Sequence, residues 1–267
     1  MPHRSLTLAL GISGAAIALL VGALVWLGAD SSLHRRPAVI LQVNCAAGLK
    51  GPVDELAAEY EKQFGTRVIV QYGGSGTLLA TVALSKSGDL FIPADESYLA
   101  LAQAKNLVAD SIKLAAMRPV LAVAKGNPKG ITGWNDALER PDLRLGLCNP
   151  DSAAIGMKIR EIAKARGEWE KLESAADVIK LTVSELALDL KSGALDLAFV
   201  WDQTAASVEG LEVVPCEELS KSVATVPVIV LTSSKVAGES LRFASWLASE
   251  EHGVPVFRRH HFIAPPP

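Results

Sequence analysis

A glycine-rich segment, Tyr72-Gly-Gly-Ser-Gly-Thr-Leu78, combines residue types that can hold an anion. It joins a strand-like segment to a helix-like one, so its backbone N–H groups lie at a helix N-terminus, where they have no acceptor within the helix. Such N–H groups, together with the positive end of the helix dipole, bind anions without a lysine or arginine. Ser75 and Thr77 add hydroxyl groups. The segment therefore predicts an anion site.

Three other segments share this order of a strand, a small or capping residue and a helix. They are Ala46-Ala-Gly-Leu49, Asp151-Ser-Ala-Ala154 and Leu181-Thr-Val-Ser184. One such segment alone is typical of an ordinary capped helix. Several together can hold a dianion through charge-assisted hydrogen bonds. The anion site thus depends on a fold that brings the four helix starts side by side.

Patterns for other chemistry are weak or absent in the sequence. The glycine segment fits neither the P-loop nor the dinucleotide-binding pattern, and no nucleophile-elbow or zinc-protease motif occurs. His260 and His261 are adjacent, which is poor spacing for metal chelation from one helix face. A net charge of -3 gives no electrostatic reason to expect nucleic acid as a partner.

The elements that must position these segments alternate between strand and helix from residue 39 onward. Val39–Val43 and Val120–Ala124 are apolar runs of strand length, whereas the segment from Pro52 to Gly65 has apolar residues at helical spacing. Such alternation is typical of α/β proteins with parallel-rich sheets covered on both faces. Ligands of these sheets bind at the carboxyl ends of the strands. We expect two lobes with a central cleft.

The N-terminal 37 residues are expected to lie outside the globular fold. The run from Ser5 to Ala29 is uncharged, mostly apolar and long enough to span a bilayer. We expect residues 5–29 to anchor the protein in the membrane unless they are cleaved as a signal peptide. Either outcome places the globular part in the periplasm or on the extracytoplasmic face of the cell membrane.

The cysteines fit an exported protein in more than one way. Cys45, Cys148 and Cys216 are widely spaced, and their odd number leaves at least one free thiol. All three are expected to be small buried residues. Cys45 and Cys148 each end an apolar strand-like run, so a disulfide between them stays open.

The ordered segments resemble those of the periplasmic molybdate-binding proteins of ABC importers, from about Leu41 to Phe262. The most specific elements are Ala46–Leu49, Tyr72–Leu78 and Gly88-Asp-Leu-Phe-Ile-Pro-Ala-Asp95. Asn149-Pro-Asp-Ser152 and the strand Asp196–Trp201 follow in the same order. The resemblance implies a type II two-lobed binding-protein fold, with crossings near 117–120 and 225–228. Lobe 1 would comprise 38–117 plus 227–267, and lobe 2 would comprise 118–226.

The resemblance also implies which residues bind the ligand. Ser75 matches a serine whose hydroxyl and N–H hold the oxyanion, while Ile155 and Val183 match donors of backbone N–H. Gly48 and Trp201 depart from the family's serine and tyrosine, and each change removes a hydroxyl. Asp95 is expected to stabilise the loop after its strand rather than to act in acid–base chemistry.

The sequence thus predicts a monomeric, non-enzymatic binding protein for molybdate or tungstate. It needs no cofactor and delivers the oxyanion to a permease with its ATPase. Sulfate and phosphate are alternative ligands, and protonated phosphate would require an acceptor such as Asp151. A membrane-anchored enzyme or a ligand sensor that uses the same anion site are alternatives from other functional classes.

Overall fold

The structure, a computed structural model, describes residues 39–266. The predicted membrane anchor, residues 5–29, lies outside the described residues. Within 39–266 no helix is both long enough and apolar enough to cross a membrane.

The first sheet contains five strands. They are β1 (Ile40–Ala46), β2 (Arg67–Gly73), β3 (Leu90–Ile92), β4 (Val108–Met117) and β10 (Ala224–Leu231). Their order is β2-β1-β3-β10-β4. Strand β1 is parallel to β2 and β3, whereas β10 is antiparallel to β3 and β4. The carboxyl ends of β1, β2 and β3 therefore meet at one edge of the sheet.

The second sheet repeats this arrangement. Its strands are β5 (Pro119–Ala124), β6 (Leu145–Cys148), β7 (Ala176–Lys180), β8 (Leu197–Trp201) and β9 (Leu211–Val214). The order is β7-β6-β8-β5-β9, with β6 parallel to β7 and β8 and β5 antiparallel to β8 and β9. Parallel pairing thus makes up half of each sheet, and both sheets are mixed.

The chain passes between the two sheets twice. Strand β4 ends at Met117 and β5 begins at Pro119, so the first passage lies within the predicted range 117–120. The second passage precedes Ala224, and the predicted range 225–228 lies inside β10. The apolar run of β10 is continuous, so the sequence does not mark where this strand begins. The division into lobes at these boundaries stays a prediction.

Helices cover the faces of both sheets. They are α1 (Lys50–Phe64), α2 (Ser75–Ser85), α3 (Ser97–Ala104), α4 (Trp134–Glu139), α5 (Ala154–Ala165), α6 (Trp169–Ala175), α7 (Val183–Ser192), α8 (Asp202–Ser207), α9 (Glu217–Ser220), α10 (Ala237–Leu247) and α11 (Gly253–Arg259). A 3₁₀ turn, Ala47–Leu49, links β1 to α1.

Helix α1 illustrates how the local sequence forms these elements. Val53, Leu56 and Tyr60 are fully buried and lie on one helix face. Gly65 ends the helix with φ 71°, a left-handed conformation that favours glycine. Because α1 packs firmly against the sheet, the turn before it is held at the sheet's carboxyl edge, where the cavity described next is found.

Candidate functional site

A small cavity lies where the carboxyl-end loops of the two sheets face each other. Its volume is about 20 Å³, which exceeds the roughly 10–15 Å³ that one water molecule requires. It therefore has room for a small ion rather than for an organic cofactor. The lining residues are small or apolar with few exceptions: Ala46, Ala47, Gly48, Gly73, Gly74, Ser75, Ala94, Ala153, Ala154, Ile155, Thr182, Val183 and Trp201.

All five residues that the resemblance assigns to the site line this cavity. Gly48 and Ser75 come from loops of the first sheet, while Ile155, Val183 and Trp201 come from the second. The structure thus brings together residues that are far apart in the chain. Their contact with a ligand stays a prediction.

Ser75 is oriented by a hydrogen bond to the loop after β3. Its side chain is almost fully buried, and its Oγ accepts a hydrogen bond from the backbone N–H of Ala94 at 3.1 Å. Because that bond uses an oxygen lone pair, the hydroxyl hydrogen is left to donate. Ser75 can therefore offer an O–H donor to an anion in the cavity.

Three helices begin at the cavity, and the first residue or two of each line it. Helix α2 begins at Ser75, α5 at Ala154 and α7 at Val183. The first N–H groups of a helix have no acceptor within the helix. Those of Ser75, Ile155 and Val183 also have no backbone acceptor elsewhere in 39–266. The positive ends of three helix dipoles thus converge on one small cavity, which favours a negatively charged ligand.

Thr182 lines the cavity but its hydroxyl is already engaged. It caps α7 through a capping box, in which Oγ1 accepts from the N–H of Glu185 and donates to the Glu185 carboxylate at 2.7 Å. Thr182, in one of the four predicted helix starts, is thus the N-cap of α7. Of the two hydroxyl side chains in the lining, Ser75 alone retains a hydrogen without an acceptor within 39–266.

The two departures from the family pattern have different consequences. A Cβ at Gly48 would lie 3.2 Å from Nε2 of Gln203 and 3.3 Å from Cγ1 of Val183. A side chain at this position would therefore crowd Gln203. The buried Gln203 donates a hydrogen bond to the Gly48 carbonyl at 3.1 Å, which links the two sheets. Trp201 ends β8 with 1% of its surface exposed, and its indole N–H has no acceptor within 39–266. Trp201 thus keeps one side-chain N–H donor at a position where the family pattern has a hydroxyl.

Two glycines of the glycine-rich segment allow the loops to touch. The N–H of Gly76 donates to the carbonyl of Ser152 at 2.8 Å. A Cβ at Gly74 would lie 2.3 Å from this carbonyl oxygen, and a Cβ at Gly76 would lie 1.9 Å from that of Asp151. Any other residue at these positions would push the two loops apart. The glycines thus permit contact between the two halves of the molecule, each of which is one sheet with its helices.

Charged side chains lie near the cavity but not in its lining. The side chain of Asp151 is 81% exposed and pairs with Arg160 at 2.9 Å. Asp95 accepts a hydrogen bond from the N–H of Ser97 at 2.9 Å, which stabilises the loop after β3 as predicted. Burial raises the pKa values of the Cys45 and Cys148 thiols well above that of an ordinary thiol, so both thiols stay neutral. The nearby thiols therefore add no negative charge that would repel an anion.

Contacts between the halves are the part of the site that the sequence did not predict. Gln203, Ser152 and Lys158 each reach across from the second sheet to the first. Gln203 and Lys158 belong to no local motif, whereas Ser152 lies in the predicted segment 151–154. Within residues 39–266, no group of three or more His, Cys, Asp or Glu side chains could hold a metal ion.

Comparison with known proteins gives three related findings. A family model described as bacterial extracellular solute-binding protein matches residues 41–263. A putative binding protein of Haemophilus influenzae is 32% identical over 224 residues, covering 84% of this chain and 90% of that protein. The molybdate-binding protein ModA of Escherichia coli is 24% identical over 182 residues, covering 65% of this chain and 70% of ModA.

Solved structures share the fold. The periplasmic molybdate-binding protein of Azotobacter vinelandii has a TM-score of 0.70 at 22% identity and covers 85% of this chain and 100% of its own. The sulfate-binding protein SubI of Mycobacterium tuberculosis has a TM-score of 0.71 at 18% identity, and the match covers 84% of this chain and 86% of SubI. The predicted two-lobed α/β fold class and the resemblance are confirmed, and the similar proteins are binding proteins rather than enzymes.

Proposed function

We propose that this chain, which belongs to the family of bacterial extracellular solute-binding proteins, captures a tetrahedral oxyanion, molybdate or tungstate. The observation that carries the proposal is the small cavity with donors from both sheets and no carboxylate among the lining residues from 39–266. Ser75 offers a hydroxyl, Trp201 an indole N–H, and three helix starts offer backbone N–H groups. Such an array favours a fully ionised, compact anion.

The absence of a carboxylate in the lining argues against phosphate. Phosphate at neutral pH carries a proton and needs an acceptor for it. Asp151, the acceptor considered from the sequence, is exposed, is paired with Arg160 and is not a lining residue. Molybdate, tungstate and sulfate carry no such proton. Sulfate therefore remains the rival ligand, and likeness in fold cannot separate it from molybdate.

The proposed mechanism is closure of the two halves on the anion. Donors from each half contact the same ligand, so binding favours the arrangement in which the halves are together. The closed protein would then deliver the anion to a membrane permease with its ATPase. We further propose that it acts as a monomer outside the cytoplasmic membrane, held there by residues 5–29 unless this segment is cleaved.

Calorimetric titration of the full chain with molybdate, tungstate, sulfate and phosphate tests the proposal. We expect heat and a thermal shift with molybdate and tungstate and none with phosphate. Heat with sulfate alone would reassign the ligand to sulfate. No heat and no thermal shift with any of the four anions would overturn the oxyanion function.

A further inference from the structure

A buried ion pair joins the two halves beside the cavity. Nζ of Lys158, on α5, lies 3.3 Å from Oδ2 of Asp95, which follows β3. The side chains are 17% and 1% exposed. Burial opposes the charge on Lys158, but attraction to Asp95 and Glu161 outweighs it, so the pKa of Lys158 is raised above its ordinary value. Lys158 is therefore a cation in this contact.

Asp95 depends on Lys158 because its two carboxylate oxygens have different partners. Oδ1 accepts from the backbone and hydroxyl of Ser97, at the start of α3. Within 39–266, Oδ2 has no hydrogen-bond donor and faces only the ammonium group of Lys158. One oxygen thus holds the local loop, and the other is neutralised only from the opposite half.

The same loop is connected to the anion site. Ala94 immediately precedes Asp95 and lines the cavity. Its N–H donates to Oγ of Ser75 and so fixes the hydroxyl that we propose donates to the ligand. A displacement of Asp95 would therefore reach Ser75 through a single residue.

Removing one partner of a buried ion pair is far more costly than removing both, because one charge is left without compensation. When the halves lie together, Asp95 is shielded from water and relies on Lys158. When they separate, water can solvate both charges. Loss of the ammonium group therefore penalises the closed arrangement specifically.

We infer that Lys158 is a positioning residue for anion capture, which stabilises the closed arrangement by pairing with Asp95 across the cleft. The inference rests on the proposed function. Lys158 does not line the cavity, so it acts through the loop of Asp95 and Ala94 rather than by touching the ligand.

The test measures molybdate binding by the full-length parent and by Lys158→Met. We expect the variant to bind about a hundredfold more weakly or worse, with the loss in a faster dissociation rate measured by stopped-flow tryptophan fluorescence. The ligand-free melting temperature should change little. Lys164→Met, an exposed lysine on the same helix, is the matched control and should bind like the parent.

A second variant separates positioning from a general packing effect. Asp95→Asn retains the acceptor for Ser97 and removes the carboxylate charge. In the double variant with Lys158→Met no buried charge is left unpaired, so its affinity should recover toward that of the parent. Parent-like dissociation from Lys158→Met, or loss in the double variant equal to the sum of the single losses, would overturn the inference while leaving the oxyanion function intact. A parent that binds none of the four anions would instead overturn the proposed function, and this inference with it.

Discussion

Among the lining side chains, Ser75 combines a buried position with a hydroxyl hydrogen that nothing within residues 39–266 accepts. A hydrogen bond to a charged group contributes about 1.5–3 kcal/mol, and each 1.4 kcal/mol is a tenfold change in affinity. We therefore expect Ser75→Ala to weaken molybdate binding by roughly ten- to a hundredfold. Isothermal titration calorimetry measures this directly.

The matched control for Ser75→Ala is Ser85→Ala, at the opposite and exposed end of α2. It removes the same hydroxyl from the same helix and should leave the affinity unchanged. If Ser75→Ala binds as tightly as the parent, the assignment of the site is wrong.

Single residues differ in how far the sequence could predict their place. Ser75, Ile155 and Val183 lie in local segments where a strand ends and a helix begins, and such segments can be read from the chain. Gln203 and Lys158 lie in no comparable pattern, because their contacts join elements that are distant in sequence. A single sequence carries no signal for a contact that only the tertiary fold creates.

At the scale of elements, the start of α2 is limited by how closely it approaches the loop after β6. A Cβ on Gly76 would lie 1.9 Å from the carbonyl oxygen of Asp151, and that oxygen belongs to rigid backbone. We expect Gly76→Ala to obstruct closure and weaken molybdate affinity by at least about tenfold, since the hydrogen bond to Ser152 would also be strained. Small-angle X-ray scattering with ligand should report a more extended molecule than the parent.

Gly238→Ala provides the comparison for that variant. Gly238 lies in the first turn of α10, and a Cβ there would meet no atom within 4 Å. Alanine is the better helix former, so this variant should be as stable as the parent or slightly more stable and should bind normally. A Gly76→Ala protein that closes and binds like Gly238→Ala would contradict the role of close approach.

The elements that the sequence predicted least well are edge strands. Strands β5, β8 and β10 are inner strands, and their continuous apolar runs identified them in advance. Strands β4, β7 and β9 lie at sheet edges, and each contains exposed or half-buried positions. In these three strands polar residues interrupt the apolar ones, so their sequences resemble those of loops, whereas the edge strand β2 was predicted. Helix α11 was also not predicted from the sequence.

Across the whole molecule, the three cysteines are free and none is fully accessible. Burial is the largest cause of the raised thiol pKa values, and together with the neighbouring Glu218 carboxylate it raises the pKa of Cys216 to about 12. The thiolate is the reactive form, so we expect the native full-length chain to react slowly with Ellman's reagent at pH 8. In urea without reductant, all three thiols should react at once. Fewer than three reactive thiols in urea would reveal a disulfide. A thiol that reacts fast with the reagent in the native protein would contradict the burial described.

Acid should unfold the molecule because several carboxylates are stabilised in the folded state. A bidentate ion pair with Arg144 lowers the pKa of Asp196, and a hydrogen bond from His260 lowers that of Glu55. A lowered folded pKa means that the native state binds fewer protons than the unfolded chain, whose Asp pKa is about 3.9. The stabilisation is therefore complete above that pH and is lost as pH falls through the folded pKa.

We accordingly expect the urea midpoint of unfolding to be nearly constant from pH 7 to 5 and to fall steeply below about pH 4. Asp196→Asn removes one carboxylate with a lowered pKa, so this variant should lose less of its own pH 7 stability between pH 5 and 3. The exposed Glu173→Gln serves as a control and should follow the parent. Parallel pH profiles for the parent and Asp196→Asn would show that the pair with Arg144, at the start of the second sheet's inner strands, does not couple folding to protonation.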